Sequence, residues 1–98
     1  MSQLSVQDRE SAETLALRVL GFLAGQEDLL SVFLEASGCG AADLAEAAQD
    51  PQFLSAVLDF LLMEDRWVLD FAGFEGIPPE AVLRARALLP GGDLPNWT

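Results

Sequence analysis

The stretch from Phe53 to Leu62 is apolar at the spacing of an α-helix. Its apolar side chains recur at positions i, i+1, i+4 and i+5, which places one wide stripe along a helix, and Phe60 adds a second apolar face. Asp50 and Pro51, just before it, are typical of the cap and the first turn of a helix. Because a helix with two apolar faces must be covered on most sides, residues 53–62 predict the central core helix of an all-α domain.

A similar apolar pattern occurs twice in the chain, 38 positions apart. At this shift seven pairs are identical: Val19 and Val57, Leu20 and Leu58, Phe22 and Phe60, Leu23 and Leu61, Phe33 and Phe71, Gly38 and Gly76, and Ala47 and Ala85. Helix breaks coincide as well, which favours an internal duplication, although any leucine- and alanine-rich helical sequence aligns with itself to some extent. We expect a compact bundle of about six short helices, built as two three-helix repeats, about 14–50 and 52–88, with approximate two-fold symmetry.

Cap and turn residues predict the remaining bounds. The helices expected in the first half run over 6–23, 27–36 and 41–48. Ser5 and Asp8 resemble a capping box at the start of the first helix, and Gly38 suits the end of the second. The tail, residues 90–98, has the composition of a non-helical segment. We expect residues 1–98 to form a single helical domain.

The chain is strongly acidic. Its 98 residues include 16 acidic and 5 basic ones, which gives a net charge of −11. A field of that sign repels nucleic-acid phosphates and anionic lipids, and it favours basic partners, cations or solubility alone. No apolar run is long enough to cross a bilayer. These features predict a soluble, cytoplasmic protein that binds neither nucleic acid nor membrane directly.

Residue types needed for much of enzyme chemistry are missing. The sequence contains no His, Lys or Tyr, and Cys39 is its one cysteine. A lone thiol without a histidine partner excludes an internal disulfide and a cysteine-based zinc site, and it disfavours nucleophilic catalysis. The chain is therefore predicted not to be an enzyme and to carry no cofactor and no metal.

Two other kinds of site are alternatives. The acidic pairs Glu27-Asp28 and Glu64-Asp65 could bind a divalent cation if the fold brought them together, but acids also ordinarily stabilise the first turn of a helix. Each half also has a helix, a glycine turn and a helix, as in a helix-turn-helix. The candidate recognition helix, residues 41–48, contains the acidic residues Asp43 and Glu46. Their negative charge argues against direct DNA binding.

Large apolar residues in turns and near the chain's end suggest a surface for a protein partner. The candidate partner-binding residues are Trp97, Leu94, Phe74, Ile77 and Trp67. Trp97 either folds back on the bundle or anchors a partner, as tryptophan often does at binding hot spots. Phe74 and Ile77, near a glycine turn, form either an exposed patch or part of the core.

Several segments resemble a known family. They are Phe33–Gly38, Ala42–Leu44, Asp50–Leu54, Ala56–Leu61, Pro79–Val82 and Leu89–Trp97. This succession is similar to a small alphaproteobacterial family, domain of unknown function 3572, from about Thr14 onward. The resemblance implies a cytosolic helical domain from that bacterial class, and it implies no activity.

Symmetry, apolar content and acidity together predict a non-enzymatic cytoplasmic interaction or adaptor domain. In this hypothesis an apolar groove between the two halves, rimmed by acids, receives a helix or a basic segment of another protein. The alternatives are a helix-turn-helix-like regulator that acts with a partner, and a carboxylate-based metal or small-molecule binding protein. A homodimer is also open.

Overall fold

The computed structural model describes residues 7–90, and this part of the chain contains six α-helices and no strand. The helices are α1 Arg9–Ala24, α2 Glu27–Ser37, α3 Leu44–Ala47, α4 Pro51–Leu62, α5 Asp65–Glu75 and α6 Glu80–Leu88, with a 3₁₀ turn, Ala41–Asp43, directly before α3. The prediction of an all-α bundle of about six short helices is confirmed. The predicted third helix is a 3₁₀ turn followed by one short α-helical segment.

Helix α4 lies at the centre of the bundle and packs against α1, α2, α5 and α6. Asp50 Oδ1 accepts a hydrogen bond from the Gln52 N–H at 3.0 Å, and Pro51 occupies the first turn, so the predicted start is correct. The buried residues of α4 are Leu54, Ser55, Val57, Leu58, Phe60 and Leu61. Burial on both of its apolar faces makes α4 the core helix that its sequence predicts.

The start of α1 differs from the prediction. The helix begins at Arg9, because Asp8 is its cap: Asp8 Oδ1 accepts from the Ser11 N–H at 2.9 Å, and Ser11 Oγ accepts from the Asp8 N–H at 3.0 Å. This capping box joins Asp8 to Ser11, so a helix that already includes residues 7 and 8 is wrong. Ser5 and Val6, on which the prediction rested, lie outside the described residues.

The cap at Asp8 makes α1 sensitive to acid. Hydrogen bonds from the backbone and the side chain of Ser11 lower the pKa of Asp8 below its ordinary value. Because the folded-state pKa is depressed, this carboxylate stabilises the fold above its unfolded pKa, and the contribution is lost as the pH falls through the folded pKa. We expect Asp8→Ala to lower the melting temperature at pH 7, with the difference from the unsubstituted chain shrinking below pH 4.

Thermal denaturation followed by circular dichroism across this pH range measures the effect. Asp8→Asn is the matched control, since asparagine caps helices well but does not titrate. If Asp8→Ala lowers the melting temperature by the same amount at acidic and at neutral pH, the stabilisation comes from packing and not from the carboxylate.

The two halves match in their first two helices and differ in their third. Helices α2 and α5 have bounds that are 38 positions apart at both ends, and each is followed by a glycine in the left-handed region, Gly38 at φ 75° and Gly76 at φ 74°. Helix α6, however, packs on α1 and α4 and buries Ala81, Val82 and Ala85, whereas the 3₁₀ turn and α3 bury no residue. The third helices are therefore not equivalent, and two-fold symmetry stays a prediction.

Gly73 within α5 and Gly76, which caps its C-terminus, are expected to respond in opposite directions to an added methyl group. A Cβ at Gly73 would meet no atom within 4 Å, whereas Gly76 has a positive φ that side chains disfavour. We expect Gly73→Ala to stabilise the protein by about 0.5–1 kcal/mol and Gly76→Ala to destabilise it by about 1–2 kcal/mol. Urea denaturation measures the change in the free energy of unfolding for each variant. An increase with Gly76→Ala would contradict the left-handed conformation of Gly76.

Candidate functional site

An open apolar groove lies between α5 and α6, at their N-terminal ends. Its volume is about 410 Å³, and it is lined by Leu62, Asp65, Val68, Leu69, Pro79, Glu80 and Leu83. Leu69 on α5 is 58% exposed and Leu83 on α6 is 61% exposed, while Val68 beneath them is buried. Two large apolar side chains on adjacent helices thus face water over an apolar floor, unlike the single exposed apolar residues that are common on protein surfaces.

The charged residues that line the α5–α6 groove are both acidic. Asp65 is the first residue of α5 and Glu80 is the first residue of α6, so each also has the ordinary role of a carboxylate at the positive end of a helix dipole. Within residues 7–90, neither of them is in an ion pair, whereas Arg9, Arg18 and Arg86 pair with acids elsewhere on the bundle. The groove therefore offers an apolar surface with a negative rim.

The chain turn between α5 and α6 sets the position of this groove. Gly76 adopts the left-handed conformation that ends α5, and the Ile77 N–H donates to the Ala72 carbonyl oxygen at 3.0 Å. This turn directs the Ile77 side chain into the core, where it is 7% exposed. The alternative of an exposed patch formed by Phe74 and Ile77 is therefore wrong for Ile77, because the hydrophobic residue after a helix-ending glycine packs back on the helix.

The other predicted partner-binding residues that the structure describes, Phe74 and Trp67, lie apart from the groove. Phe74 is 72% exposed, and its ring lies 5.7 Å from that of Phe22 on α1. Trp67 is half-buried and stacks on Phe60 with ring centroids 5.0 Å apart, which makes it part of the packing around α4. Trp97 and Leu94 lie outside the described residues. None of the described candidates lines the α5–α6 groove.

Sequence reasoning missed the two leucines that distinguish this groove. Leu83 follows the buried Val82 and precedes the exposed Arg84, and Leu69 lies between the buried Val68 and the exposed Asp70. In each helix a large apolar residue lies next to the buried face and not on it. The sequence does not reveal this, because α6 buries mostly small residues and its buried face is known only from the structure.

A second, smaller groove lies between α2 and α4. Its volume is about 240 Å³, and it is lined by Phe33, Ala36, Ser37, Ala56, Asp59, Phe60 and Met63. Its rim carboxylate, Asp59, accepts hydrogen bonds from Nε and Nη2 of Arg86. This groove lies between the two halves of the chain, but its acid is paired with an arginine.

Residues able to bind a metal are dispersed. Among the residues that the structure describes, no three Asp, Glu, His or Cys side chains come close enough to hold a metal ion. Cys39 is a free, half-buried thiol whose Sγ donates to the Gly40 carbonyl oxygen at 3.4 Å. No helix within residues 7–90 combines the length and the apolar character needed to cross a membrane.

Comparison with known proteins places the chain in a family. No curated protein and no solved structure matches the chain at a significant level. The model of a family described as protein of unknown function, DUF3572, matches residues 9–92, a range that includes all six helices and both grooves. The chain therefore belongs to the DUF3572 family.

Proposed function

We propose that this protein is a non-enzymatic cytoplasmic interaction domain whose α5–α6 groove binds an amphipathic helix with basic residues from another protein. The single observation that carries the proposal is the pairing of the exposed Leu69 and Leu83 with the carboxylates of Asp65 and Glu80 around one groove. An alphaproteobacterial source, which the sequence resemblance implies, is part of the same proposal.

The apolar floor and the acidic rim select the chemistry of the partner. A helix that presents apolar residues at i, i+3 or i+4, and i+7 fills a groove between two helices, as in helix-in-groove recognition. Lys or Arg residues at the edges of that helix would pair with Asp65 and Glu80, and the net charge of −11 would speed the encounter. The apolar contacts supply affinity, and the charges supply orientation and rate.

The proposed groove differs in location from the one expected from sequence symmetry. That expectation combined an acidic rim with a position between the two halves, and the structure separates these features. The carboxylates of the α5–α6 groove form no ion pair within the described part of the chain, but this groove lies in the second half. The α2–α4 groove joins the halves and has a carboxylate bound by Arg86. The proposal follows the charge and the exposed leucines.

Affinity capture with matched baits tests the proposal. The baits are the full chain, Leu83→Glu, and the control Leu17→Glu, which changes a 46% exposed leucine on α1 outside both grooves. We expect one stoichiometric protein to be captured by the full chain and by the control, and to be lost with Leu83→Glu. Raising the salt concentration should weaken capture, since it screens the carboxylates.

Two results would overturn the assignment of the groove. A partner retained by Leu83→Glu but lost with Leu17→Glu would move the interface to α1. Recovery of a second copy of this chain alone, lost with Leu83→Glu, would make the groove a homodimer contact.

A further inference from the structure

The linings of the α5–α6 groove and the α2–α4 groove meet at the C-terminal end of α4. Leu62, the last residue of α4, lines the first groove, and Met63, the next residue, lines the second. Consecutive Cα atoms are about 3.8 Å apart, so the two linings come within one residue of each other along the chain. The side chain of Met63 is 71% exposed at this border. The border is therefore short enough for one bound segment to cross.

A packed apolar layer lies beneath the border. Val68, in the floor of the α5–α6 groove, directly follows Trp67, and Trp67 stacks on Phe60, which lines the α2–α4 groove, with ring centroids 5.0 Å apart. Val68 and Phe60 are 8% and 4% exposed, so both belong to the core. Because protein interiors are close-packed, this layer fixes the position of the two grooves relative to each other.

Charge differs between the two grooves. Asp65 and Glu80 of the α5–α6 groove form no ion pair within residues 7–90. The charged residue that lines the α2–α4 groove is Asp59, and its carboxylate accepts hydrogen bonds from Nε and Nη2 of Arg86. The α5–α6 groove therefore selects basic residues, whereas the α2–α4 groove selects uncharged apolar ones.

We infer that a single partner segment occupies both grooves, with a basic amphipathic helix in the α5–α6 groove and an uncharged apolar extension of it that crosses Met63 into the α2–α4 groove. This inference rests on the proposed function and adds the second part of the partner. Methionine suits such a border, because its unbranched side chain adapts to apolar surfaces of different shapes. Covering Met63 removes apolar surface from water, so the extension adds affinity without adding charge.

Synthetic peptides of two lengths, added to the full chain, test this inference. The short peptide is a helix of about four turns with leucines on one face and lysines at the edges of that face. Two long peptides add about seven uncharged residues, including a leucine and a phenylalanine, at the N-terminal or the C-terminal end, which lengthens the helix by about 10 Å. We expect one long peptide to bind about tenfold more tightly than the short one, as measured by fluorescence anisotropy.

Three substitutions that each add one carboxylate assign this gain to the border. Met63→Glu should abolish the gain and leave the affinity for the short peptide unchanged. Leu83→Glu should weaken the binding of the short and the long peptides. The matched control is Val32→Glu, which changes a 48% exposed residue of α2 outside both groove linings and should leave every affinity unchanged. Circular dichroism verifies the helix content of each variant.

The outcomes separate this inference from the proposed function. If neither long peptide binds more tightly than the short one, or if the gain survives Met63→Glu, the inference is wrong. The proposed function still holds in that case, provided that Leu83→Glu weakens the binding of the short peptide. If no peptide binds, or if Leu83→Glu leaves all affinities unchanged, the inference and the proposed function both fail.

Discussion

Replacing Phe71 with alanine is expected to lower the free energy of unfolding by about 3–5 kcal/mol. Phe71 is 0% exposed on α5, and its ring packs edge-on against that of Phe22 on α1, with centroids 5.5 Å apart. The substitution removes the buried ring and leaves a cavity between helices that the short bundle cannot fully close. Since a domain of this size is stable by about 5–15 kcal/mol, a loss of this size removes a large part of the total. Urea denaturation followed by circular dichroism measures it.

Phe74→Ala is the matched control for this prediction. Phe74 lies on the same helix and also contacts the Phe22 ring, but it is 72% exposed. We expect its replacement to cost less than about 1 kcal/mol, because little surface leaves the core. Equal losses for the two variants would show that burial of Phe71 in the core does not determine stability here.

Leu83→Glu is expected to weaken partner binding by about 30-fold or more, which corresponds to about 2 kcal/mol. The substitution removes an apolar contact from the lining of the α5–α6 groove and adds a third carboxylate to those of Asp65 and Glu80. Titration of the captured partner into each variant, by calorimetry or fluorescence anisotropy, measures the change in Kd.

The stability of the same variant separates binding from folding. Leu83 is 61% exposed, so Leu83→Glu should change the free energy of unfolding by no more than about 0.5 kcal/mol. Arg84→Ala, at the next position of α6, is a control that leaves the groove lining intact. If Leu83→Glu binds the partner as tightly as the unsubstituted chain, Leu83 is not part of the interface.

The parts of the fold that local chemistry determines could be predicted from the sequence. Asp50 and Pro51 set the start of α4, and Gly38 ends α2 in the left-handed conformation. These features need only the residues around them, because caps and glycine turns act within one helical turn. The start of α1 was misjudged since two possible caps, Ser5 and Asp8, lie close together, and the bond between Asp8 and Ser11 decides between them.

The candidate site could not be predicted from the sequence, because it depends on how the helices pack. Which side of α6 faces the core is set by its contacts with α1 and α4, and only that choice leaves Leu83 exposed. The burial of Ile77 depends in the same way on the position of the core beneath the turn. A repeat comparison also suggests equal third helices, whereas α6 buries three residues and α3 buries none.

Photo-cross-linking from the groove tests most directly whether the α5–α6 groove binds another protein. A benzoylphenylalanine at position 83 would lie in the groove, and one at position 17 would lie on α1 outside it. After irradiation of living source cells, we expect position 83 to cross-link to a basic, amphipathic helical segment of a second protein and position 17 to give no adduct with it. Adducts from position 17 and none from position 83 would contradict the account.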